Sequence, residues 1–357
     1  MIEKHQKRPD IGGQAVIEGV MMKSPDAIAI AVRRASGDIK VEREAYVPLS
    51  KKHPWMGLPV IRGVANMVSM LAMGMKTIEK STKMLGLLDE EPTKFEKWLA
   101  NKLGKDVDKI VMGVAMVLAV VLSLLLFMVV PSFFASLTNR YTDSLLVVNL
   151  VSGAVRIAIL IAYIGLSGLI PDMRRTYEYH GAEHMTVHCY ENNMPLTPAC
   201  ASKFSPLHPR CGTSFLLLVM VIAILFGAIM DQLLQLAFGI DRLSFLFRLG
   251  RNLLFFPLVA GLSYEALKGL AHKDNAFVRA VRWPGLMLQR LTTRRPSEDQ
   301  LEVAIAAFNA ALGGALPVEE PKTIEVPEIP GENEISEEPE IPDRLEEAAD
   351  DPEASAD

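Results

Sequence analysis

The sequence predicts a mainly α-helical, polytopic membrane protein. We expect about four transmembrane helices, a small N-terminal β-rich cytoplasmic unit and a disordered acidic C-terminal tail. Half of the 357 residues are hydrophobic, and the mean hydropathy is positive at +0.23. Four long apolar runs lie between residues 110 and 270. The formal net charge of −5 conceals a basic, apolar body and a strongly acidic end, a division typical of membrane proteins with cytoplasmic Lys and Arg.

The N-terminal unit, residues 1–56, contains a hairpin signal. Residues 27–32 and 39–47 are rich in strand-forming side chains and flank a turn that contains glycine. The glycines of residues 12–22 indicate tight turns or a close approach of the backbone. Glu18 is an acid in this apolar stretch. We interpret it first as a solvated strand residue and second as a functional group.

Residues 57–105 are predicted to form a Met-rich amphipathic helix and a linker. Apolar side chains recur at helical spacing between Val60 and Met75. Methionines at this spacing are typical of packing, and they are also compatible with a helix lying in the membrane interface. Because charged residues become frequent after Met75, we do not count this helix as a membrane span.

Residues 106–275 form the predicted membrane domain. Each of the first three spans exceeds the ~20 apolar residues that a bilayer helix needs, and the fourth is near that minimum. Arg156 and Asp231 are charges inside the spans, and they either pair or leave Arg156 facing a polar cavity. The spans cover about residues 110–137, 145–170, 214–240 and 253–270.

The distribution of Lys and Arg predicts the orientation. Basic residues precede the first span, follow the second, precede the third and follow the fourth. By the positive-inside rule, both termini and the segment 171–213 are cytoplasmic, and the chain is a multi-pass protein of the cell (inner) membrane. Arg242, Arg248 and Arg251 do not fit this pattern, because they lie in the connection between the third and fourth spans.

The C-terminal part divides into a helical segment and a tail. Residues 276–315 are predicted to be cytoplasmic and helical, with Ser297 as an N-cap and Gln300 at the reciprocal position of a capping box. We expect the helix to end near residue 312, before a pair of glycines. Residues 316–357 are acidic and too poor in apolar side chains to fold, so they are predicted to be disordered.

The segment 171–213 contains the candidate chemistry. In a helix, His180 and His184 lie on one face, one turn apart, with Glu183 beside them. His-x-x-Glu-His is the inverted form of the zinc-protease signature. Two imidazoles can bind a divalent metal, zinc by preference, while the carboxylate acts as a general base on water. His188 adds a third imidazole one turn further along the same face.

Further ligands are available outside this motif. His208 and Cys211 lie three residues apart in a Pro- and Gly-containing turn and can bind metal or orient a ligand. Glu265, an acid in the fourth span, is the kind of downstream Glu from which inverted-motif zinc enzymes take their third ligand. Arg210 either holds an anionic substrate group or is an ordinary loop charge. The candidate metal ligands are therefore His180, His184, Glu265, His208 and Cys211.

The composition also limits the classes of partner that the protein is expected to bind. We expect no nucleic-acid binding, because no dense basic run with interleaved aromatic residues occurs. The three cysteines contain no Cys-x-x-Cys motif and do not indicate a disulfide framework. The expected partners are the lipid bilayer and an unidentified substrate or protein at the cytoplasmic face.

Several long motifs of the chain resemble the YqhQ family. They are residues 12–22, the 180–184 motif, residues 208–215, and residues 284–286 together with 300–305. The resemblance covers about residues 11–312. This bacterial membrane family, also found in plastids, is usually described as uncharacterised or as a predicted metal-dependent enzyme. The resemblance implies about four membrane spans and a metal site, and it implies no established substrate.

Two functional hypotheses follow. The first is a membrane-embedded, metal-dependent hydrolase that faces the cytoplasm and acts on a peptide or lipid-linked substrate at the membrane surface. The second is a non-enzymatic scaffold, in which a structural metal site holds a cytoplasmic module that docks partners. The third and fourth ligands distinguish them, because catalytic zinc sites keep an open position and structural ones are closed.

Overall fold

The structure is a computed structural model that describes residues 9–48, 51, 53–86, 107–239, 245–271 and 275–313. It is mainly helical with a small antiparallel sheet near the N-terminus, as the sequence predicts. The tail predicted to be disordered, residues 316–357, lies outside the described residues.

The N-terminal sheet is a four-stranded antiparallel meander in the order β1-β2-β3-β4. The predicted hairpin is confirmed as the β3–β4 pair. Glu18 is not a strand residue, contrary to the first interpretation. It occupies the β1–β2 turn with a left-handed φ of 51°, within the stretch where the glycines predicted tight turns. The strands are β1 (Gly12–Val16), β2 (Gly19–Lys23), β3 (Ala27–Arg33) and β4 (Ile39–Ala45).

The helices follow the sheet in chain order. They are α1 (Ile61–Leu85), α2 (Val107–Leu124), α3 (Val130–Thr138), α4 (Leu145–Ser167), α5 (Pro171–Glu191), α6 (Pro198–Ala201), α7 (Gly212–Phe238), α8 (Phe245–Ala271), α9 (Ala276–Thr292) and α10 (Glu298–Leu312). A π-helical turn joins α2 to α3, so the two form one continuous helix. The Met-rich helix predicted within residues 57–105 is α1.

The sheet lies between helices on both faces. Val20 and Met22 of β2 belong to a core shared with α5 and α10. Met21 of the same strand points to the other face and packs with Met84 of α1. Since both faces are covered, β2 and β3 are apolar along most of their length. The β2–β3 pair is therefore the centre of a layered unit that holds α5 in place.

Four helical stretches are long and apolar enough to cross a membrane. Many of their side chains face outward and remain exposed, for example Leu225 at 58% and Leu254 at 73%, as expected for a surface in contact with lipid. The stretches are Gly113–Thr138, Leu145–Ser167, Leu216–Phe238 and Phe245–Leu270. The predicted count is confirmed, and the first three boundaries agree closely with the sequence prediction.

The fourth span begins earlier than predicted, at Phe245. The prediction treated Arg248 and Arg251 as loop charges, whereas both lie inside α8 and are buried, at 2% and 9% exposure. Each forms an ion pair with Asp231 of α7, and Arg248 Nη1 lies 2.9 Å from Asp231 Oδ2. The partners of Asp231 are thus on α8, and the alternative pairing with Arg156 is wrong.

The C-terminal helix is capped as predicted. The Ser297 N–H donates to Gln300 Oε1 at 2.9 Å, which completes the capping box. Gly313 ends the helix with a left-handed φ of 90°. Leu301 and Phe308 then face the sheet and α5, so α10 closes the unit from the side opposite α1.

Candidate metal centre

Helix α5 positions the predicted motif in the interior of the protein. Most residues from Tyr179 to Tyr190 are buried, so this is a core helix and not a solvated polar one. Its His180 and His184 rings lie one turn apart with centroids 4.4 Å from each other. The loop before α7 then inserts His208 beside them, with ring centroids 5.6 Å from His184 and 4.4 Å from His188. Four imidazoles therefore form a continuous row.

The first ligand group consists of His180, His184 and Cys211. Their potential ligand atoms all lie within 4.8 Å of one another. Cys211 Sγ is 3.3 Å from His180 Nε2. Cys211 is also the N-cap of α7, and its sulfur accepts a hydrogen bond from the Thr213 N–H at 3.4 Å. The start of a helix favours negative charge, so this position suits a thiolate ligand.

Backbone carbonyls determine the tautomers of both histidines in this group. His180 Nδ1 lies 2.9 Å from the Thr292 carbonyl oxygen, and His184 Nδ1 lies in hydrogen-bonding contact with the Pro206 carbonyl oxygen. A carbonyl only accepts, so each Nδ1 carries the hydrogen and each Nε2 keeps its lone pair. This is the usual arrangement behind a metal-ligating histidine.

The carboxylate of Glu183 lies against His184, and this contact needs a positive charge or a proton. Its carboxylate Oε2 lies 3.4 Å from His184 Nε2, and both side chains are buried. With the hydrogen on Nδ1, the two facing atoms are both acceptors. A shared proton or a cation between them is needed to make the contact favourable.

The second ligand group consists of His188, Glu191 and His208. His188 Nε2–H donates to the Leu207 carbonyl at 2.9 Å, which leaves Nδ1 as the acceptor. His208 Nδ1 accepts from the Arg210 N–H at 3.2 Å, so its Nε2–H points to Glu191 Oε2 at 3.4 Å. Metal binding at that Nε2 needs the loss of this proton. The second group is therefore a less favourable metal site than the first.

Burial keeps two of the imidazoles neutral. The pKa of His188 is lowered from 6.5 to about 4, mainly by burial and secondly by the nearby His208 ring. Burial also lowers the pKa of His208. Both rings are therefore uncharged at neutral pH, the state in which an imidazole can bind metal.

Helix α9 orients two of the histidines, a role that the sequence analysis did not predict. Gln289 is fully buried and exchanges two hydrogen bonds of 2.8 Å with the backbone N–H and carbonyl of His208. Thr292 of the same helix supplies the carbonyl that holds His180. No local sequence pattern connects residues that are 81 and 112 positions apart in the chain.

Two glycines lie in the motifs that resemble the YqhQ family. At each of them another part of the backbone comes so close that a side chain would not fit. A Cβ on Gly181 would lie 1.9 Å from the Arg294 carbonyl oxygen, because the connection between α9 and α10 crosses α5 at this point. A Cβ on Gly13 of β1 would lie 2.3 Å from the Met21 carbonyl oxygen and 3.0 Å from Glu183 Cγ. The motif thus combines ligands with positions that must lack a side chain.

Glu265 does not join either ligand group, which corrects the prediction of a third ligand from the fourth span. Its carboxylate forms an ion pair with Arg62 and accepts a hydrogen bond from the Val60 N–H at 3.2 Å. The physical reason is that the start of α1 packs against α8 and offers these donors. The residues next to the His180 and His184 motif are Cys211, His188 and His208. Glu265 is not among them.

The remaining predicted residues have acidic or basic partners of their own. Arg210 forms ion pairs with Glu191 and with Asp10, the latter at 3.2 Å. Glu18 pairs with Arg175 and accepts a weak hydrogen bond from the Tyr179 hydroxyl at 3.4 Å. Burial, and after it the Glu18 charge, raises the pKa of Tyr179 to about 12. Glu18 therefore ties the sheet to α5 and lies outside both ligand groups.

Glu191 is a site residue that the sequence analysis missed. A signal was present, because His188-x-x-Glu191 repeats the spacing of His180-x-x-Glu183 two turns earlier on the same helix.

Comparison with known proteins places these observations in a family. A family model described as "Protein of unknown function (DUF1385)" matches residues 58–314, a range that contains both ligand groups. The "Uncharacterized protein YqhQ" of Bacillus subtilis (strain 168) is 31% identical over 320 residues, which cover 87% of this chain and 95% of that protein. No solved structure matches the chain significantly. Neither description assigns an activity.

Proposed function

The chain belongs to the DUF1385 family, together with the YqhQ protein, and within this family of unknown function we propose that it acts as a metal-dependent hydrolase. The proposed centre is the first ligand group, His180, His184 and Cys211. It faces the cytoplasmic side of the cell membrane, with both termini in the cytoplasm.

The donor set supports a zinc ion in preference to other divalent metals. Two imidazole nitrogens and a thiolate are the ligands that zinc takes in proteins, whereas Mg²⁺ and Ca²⁺ prefer oxygen. Three protein ligands leave a fourth position for water or substrate, the arrangement of catalytic zinc sites. A zinc ion bound there supplies a Lewis acid that makes water more acidic.

The observation that carries the proposal is the contact between His184 and Glu183. Two buried acceptors at 3.4 Å need a cation or a proton between them, and an ion held by His184 meets that need. Glu183 lies beside the ligand group without belonging to it. A buried carboxylate in this position can take a proton from the attacking water and return it to the leaving group.

The position of the site supports a substrate at the membrane surface. Helix α5 starts four residues after the second span ends, and Cys211 directly precedes α7, which contains the third span. The site therefore lies at the ends of two membrane helices. A peptide or a lipid-linked molecule in the headgroup region is the substrate class that fits this location.

The burial of Arg248 and Arg251 supports the proposed orientation. The predicted exception to the positive-inside rule consisted of three arginines, and two of them are inside a membrane helix and paired with Asp231. The connection between the third and fourth spans then contributes only Arg242 to the charge count. The cytoplasmic assignment of residues 171–213 no longer conflicts with that connection.

One observation favours the alternative of a structural site. The His208 ring centroid is 5.6 Å from that of His184, close enough for a modest shift to bring a fourth ligand. A closed set of four ligands would hold the loop before α7 against α5 without catalysis. The module would then dock a protein partner at the same membrane face.

Elemental analysis of detergent-purified protein tests metal binding. We expect about one zinc per chain in the wild type, its loss in His184→Ala and its retention in Glu183→Gln, because the acid is not a ligand in this proposal. A wild type without metal rules out both functions. Loss of metal in Glu183→Gln would instead make this residue a ligand and remove the proposed base.

Cobalt substitution separates the two functions. An open position lets azide or cyanide bind the ion, which changes the visible d–d absorption of Co²⁺. We expect such a change for the hydrolase. An unchanged spectrum at saturating azide indicates a closed, structural site.

A further inference from the structure

A polar cavity lies inside the membrane domain, away from the proposed metal centre. It is formed by α3, α4, α7 and α8, and polar side chains dominate its wall. Its α7 residues, Ala223 to Gly227, are at least twelve positions beyond Cys211, which corresponds to about 18–24 Å along the helix. The cavity is therefore a separate site, between the middle of α7 and the start of α8, and it is independent of the proposed hydrolase.

The charges around this cavity are unbalanced. Its lining includes three arginines, Arg156, Arg248 and Arg251. The acid paired with them is Asp231, which contacts Arg248 and Arg251 together. Arg156 forms no ion pair with any acid in the part of the chain that the structure describes. Uncompensated charge is costly inside a membrane helix bundle, so this excess of positive charge requires a counter-charge.

Several donors at the cavity are buried without a partner. Arg248 is only 2% exposed, and its Nε and Nη2 atoms meet no acceptor within the described residues. The Nδ2 of Asn149 and the Nε of Arg156 are in the same condition. An unmade hydrogen bond from a buried donor costs about 1–3 kcal/mol, and more when the group is charged. These donors come from two different helices and line one small space.

We propose that this cavity binds a single small anion of about the size of chloride. An anion supplies both missing elements, since it accepts hydrogen bonds from the free donors and offsets the positive charge. The cavity volume of about 20 Å³ admits one or two particles of the size of water. Water alone satisfies the donors and leaves the charge uncompensated.

The first test uses the full-length protein in detergent, with sodium chloride replaced by sodium gluconate at constant ionic strength. Gluconate is too large for the cavity. We expect the wild type to melt about 3 °C or more higher in chloride, the shift that linkage gives for a largely filled site. A direct measurement with radioactive chloride should find one ion per chain, displaced by bromide.

Arg156→Gln is the informative variant, because Arg156 has no acid partner whose loss would complicate folding. We expect its chloride-dependent shift to fall to a small fraction of the wild-type value and its chloride affinity to fall at least tenfold. In gluconate it should melt at or above the wild-type temperature, since it removes an uncompensated charge. Arg140→Gln, an exposed arginine at the end of α3, is the matched control and keeps the full shift.

Three results would overturn the proposal. The first is a wild type that melts at the same temperature in both salts and binds no chloride. The second is an Arg156→Gln protein that keeps the chloride shift or loses stability equally in both salts, which indicates a purely structural arginine. The third is stabilisation by phosphatidylglycerol in gluconate without any response to chloride, which identifies a lipid headgroup as the occupant.

Discussion

Gln289 holds the backbone of His208 with two hydrogen bonds: the His208 N–H donates to Gln289 Oε1, and Gln289 Nε2 donates to the His208 carbonyl, both at 2.8 Å. The two residues lie on different elements, and both are buried. The position of the His208 loop is therefore set by a side chain of α9. The loop in turn supplies Cys211 to the first ligand group.

Gln289→Leu tests these two hydrogen bonds. The substitution leaves a buried N–H and a buried carbonyl of His208 unpaired, so we expect the free energy of unfolding to fall by about 2 kcal/mol or more. We also expect zinc affinity to fall about 10–100-fold, as is usual when the supports of a ligand are removed. Gln232→Leu, on an exposed position of α7, is the control and should change neither quantity. Unchanged zinc affinity in Gln289→Leu shows that the loop is held by other contacts.

Gly181→Ala tests the close approach of Arg294 to the motif. The added Cβ cannot be accommodated at 1.9 Å from a carbonyl oxygen, so the crossing chain or α5 must move. We expect a loss of about 1–3 kcal/mol and a lower yield of folded protein. Gly165→Ala in α4 meets no atom within 4 Å and should fold as well as the wild type. Equal melting temperatures of the two variants contradict the predicted crossing.

Acid should destabilise the metal-free protein. Well above pH 6.5 neither the folded nor the unfolded chain protonates His188, and its contribution to stability is at its maximum. As the pH falls from 6.5 towards 4, the unfolded chain binds a proton that the folded chain excludes. At pH 5 this difference lowers the free energy of unfolding by about 2 kcal/mol.

Thermal melts of EDTA-treated protein between pH 7.5 and pH 5 measure this effect. His188→Gln should show a flatter pH dependence than the wild type, with the remaining slope coming from His208 and other buried groups. An unchanged slope in the variant means that His188 is solvated in the folded chain.

Glu265→Gln distinguishes the contacts of the structure from the ligand predicted by sequence. Because the carboxylate is held by Arg62 and the Val60 N–H, we expect full zinc content and a modest loss of thermal stability. His180→Ala in parallel should lose the metal. Zinc lost from Glu265→Gln would restore this residue as the third ligand.

The architecture of the membrane domain was largely predictable, because long apolar runs have few other structural solutions. The exception is the start of the fourth span. Arg248 and Arg251 made residues 245–252 resemble a loop, and their burial depends on a contact with Asp231, seventeen and twenty residues earlier, that sequence spacing does not indicate. The glycines of residues 12–22 predicted tight turns, but Glu18 was taken for a strand residue, because the left-handed conformation it adopts in the β1–β2 turn is usual for Gly or Asn.

The site was predictable to the extent that its ligands are close in sequence. His180, His184, His208 and Cys211 fall within one segment of the chain, and the structure brings them together. The supports were not predictable, because they are backbone carbonyls such as that of Thr292 and a glutamine on a distant helix. Glu265 was selected by analogy with other zinc enzymes, and that analogy contains no information about the Arg62 contact.

The ion pairs of Asp231 also bear on how the chain is made. Insertion scales assign about 2.5–3.5 kcal/mol to an unpaired Arg at the centre of a membrane helix. Arg248 and Arg251 lie in the first two turns of the fourth span, where the cost of each is smaller, but the two charges add. Helix α8 is therefore a poor candidate for independent release from the translocation channel during synthesis. We expect α7 to remain beside the channel until α8 emerges, so that the two helices partition into lipid as a preassembled hairpin with Asp231 already paired to both arginines.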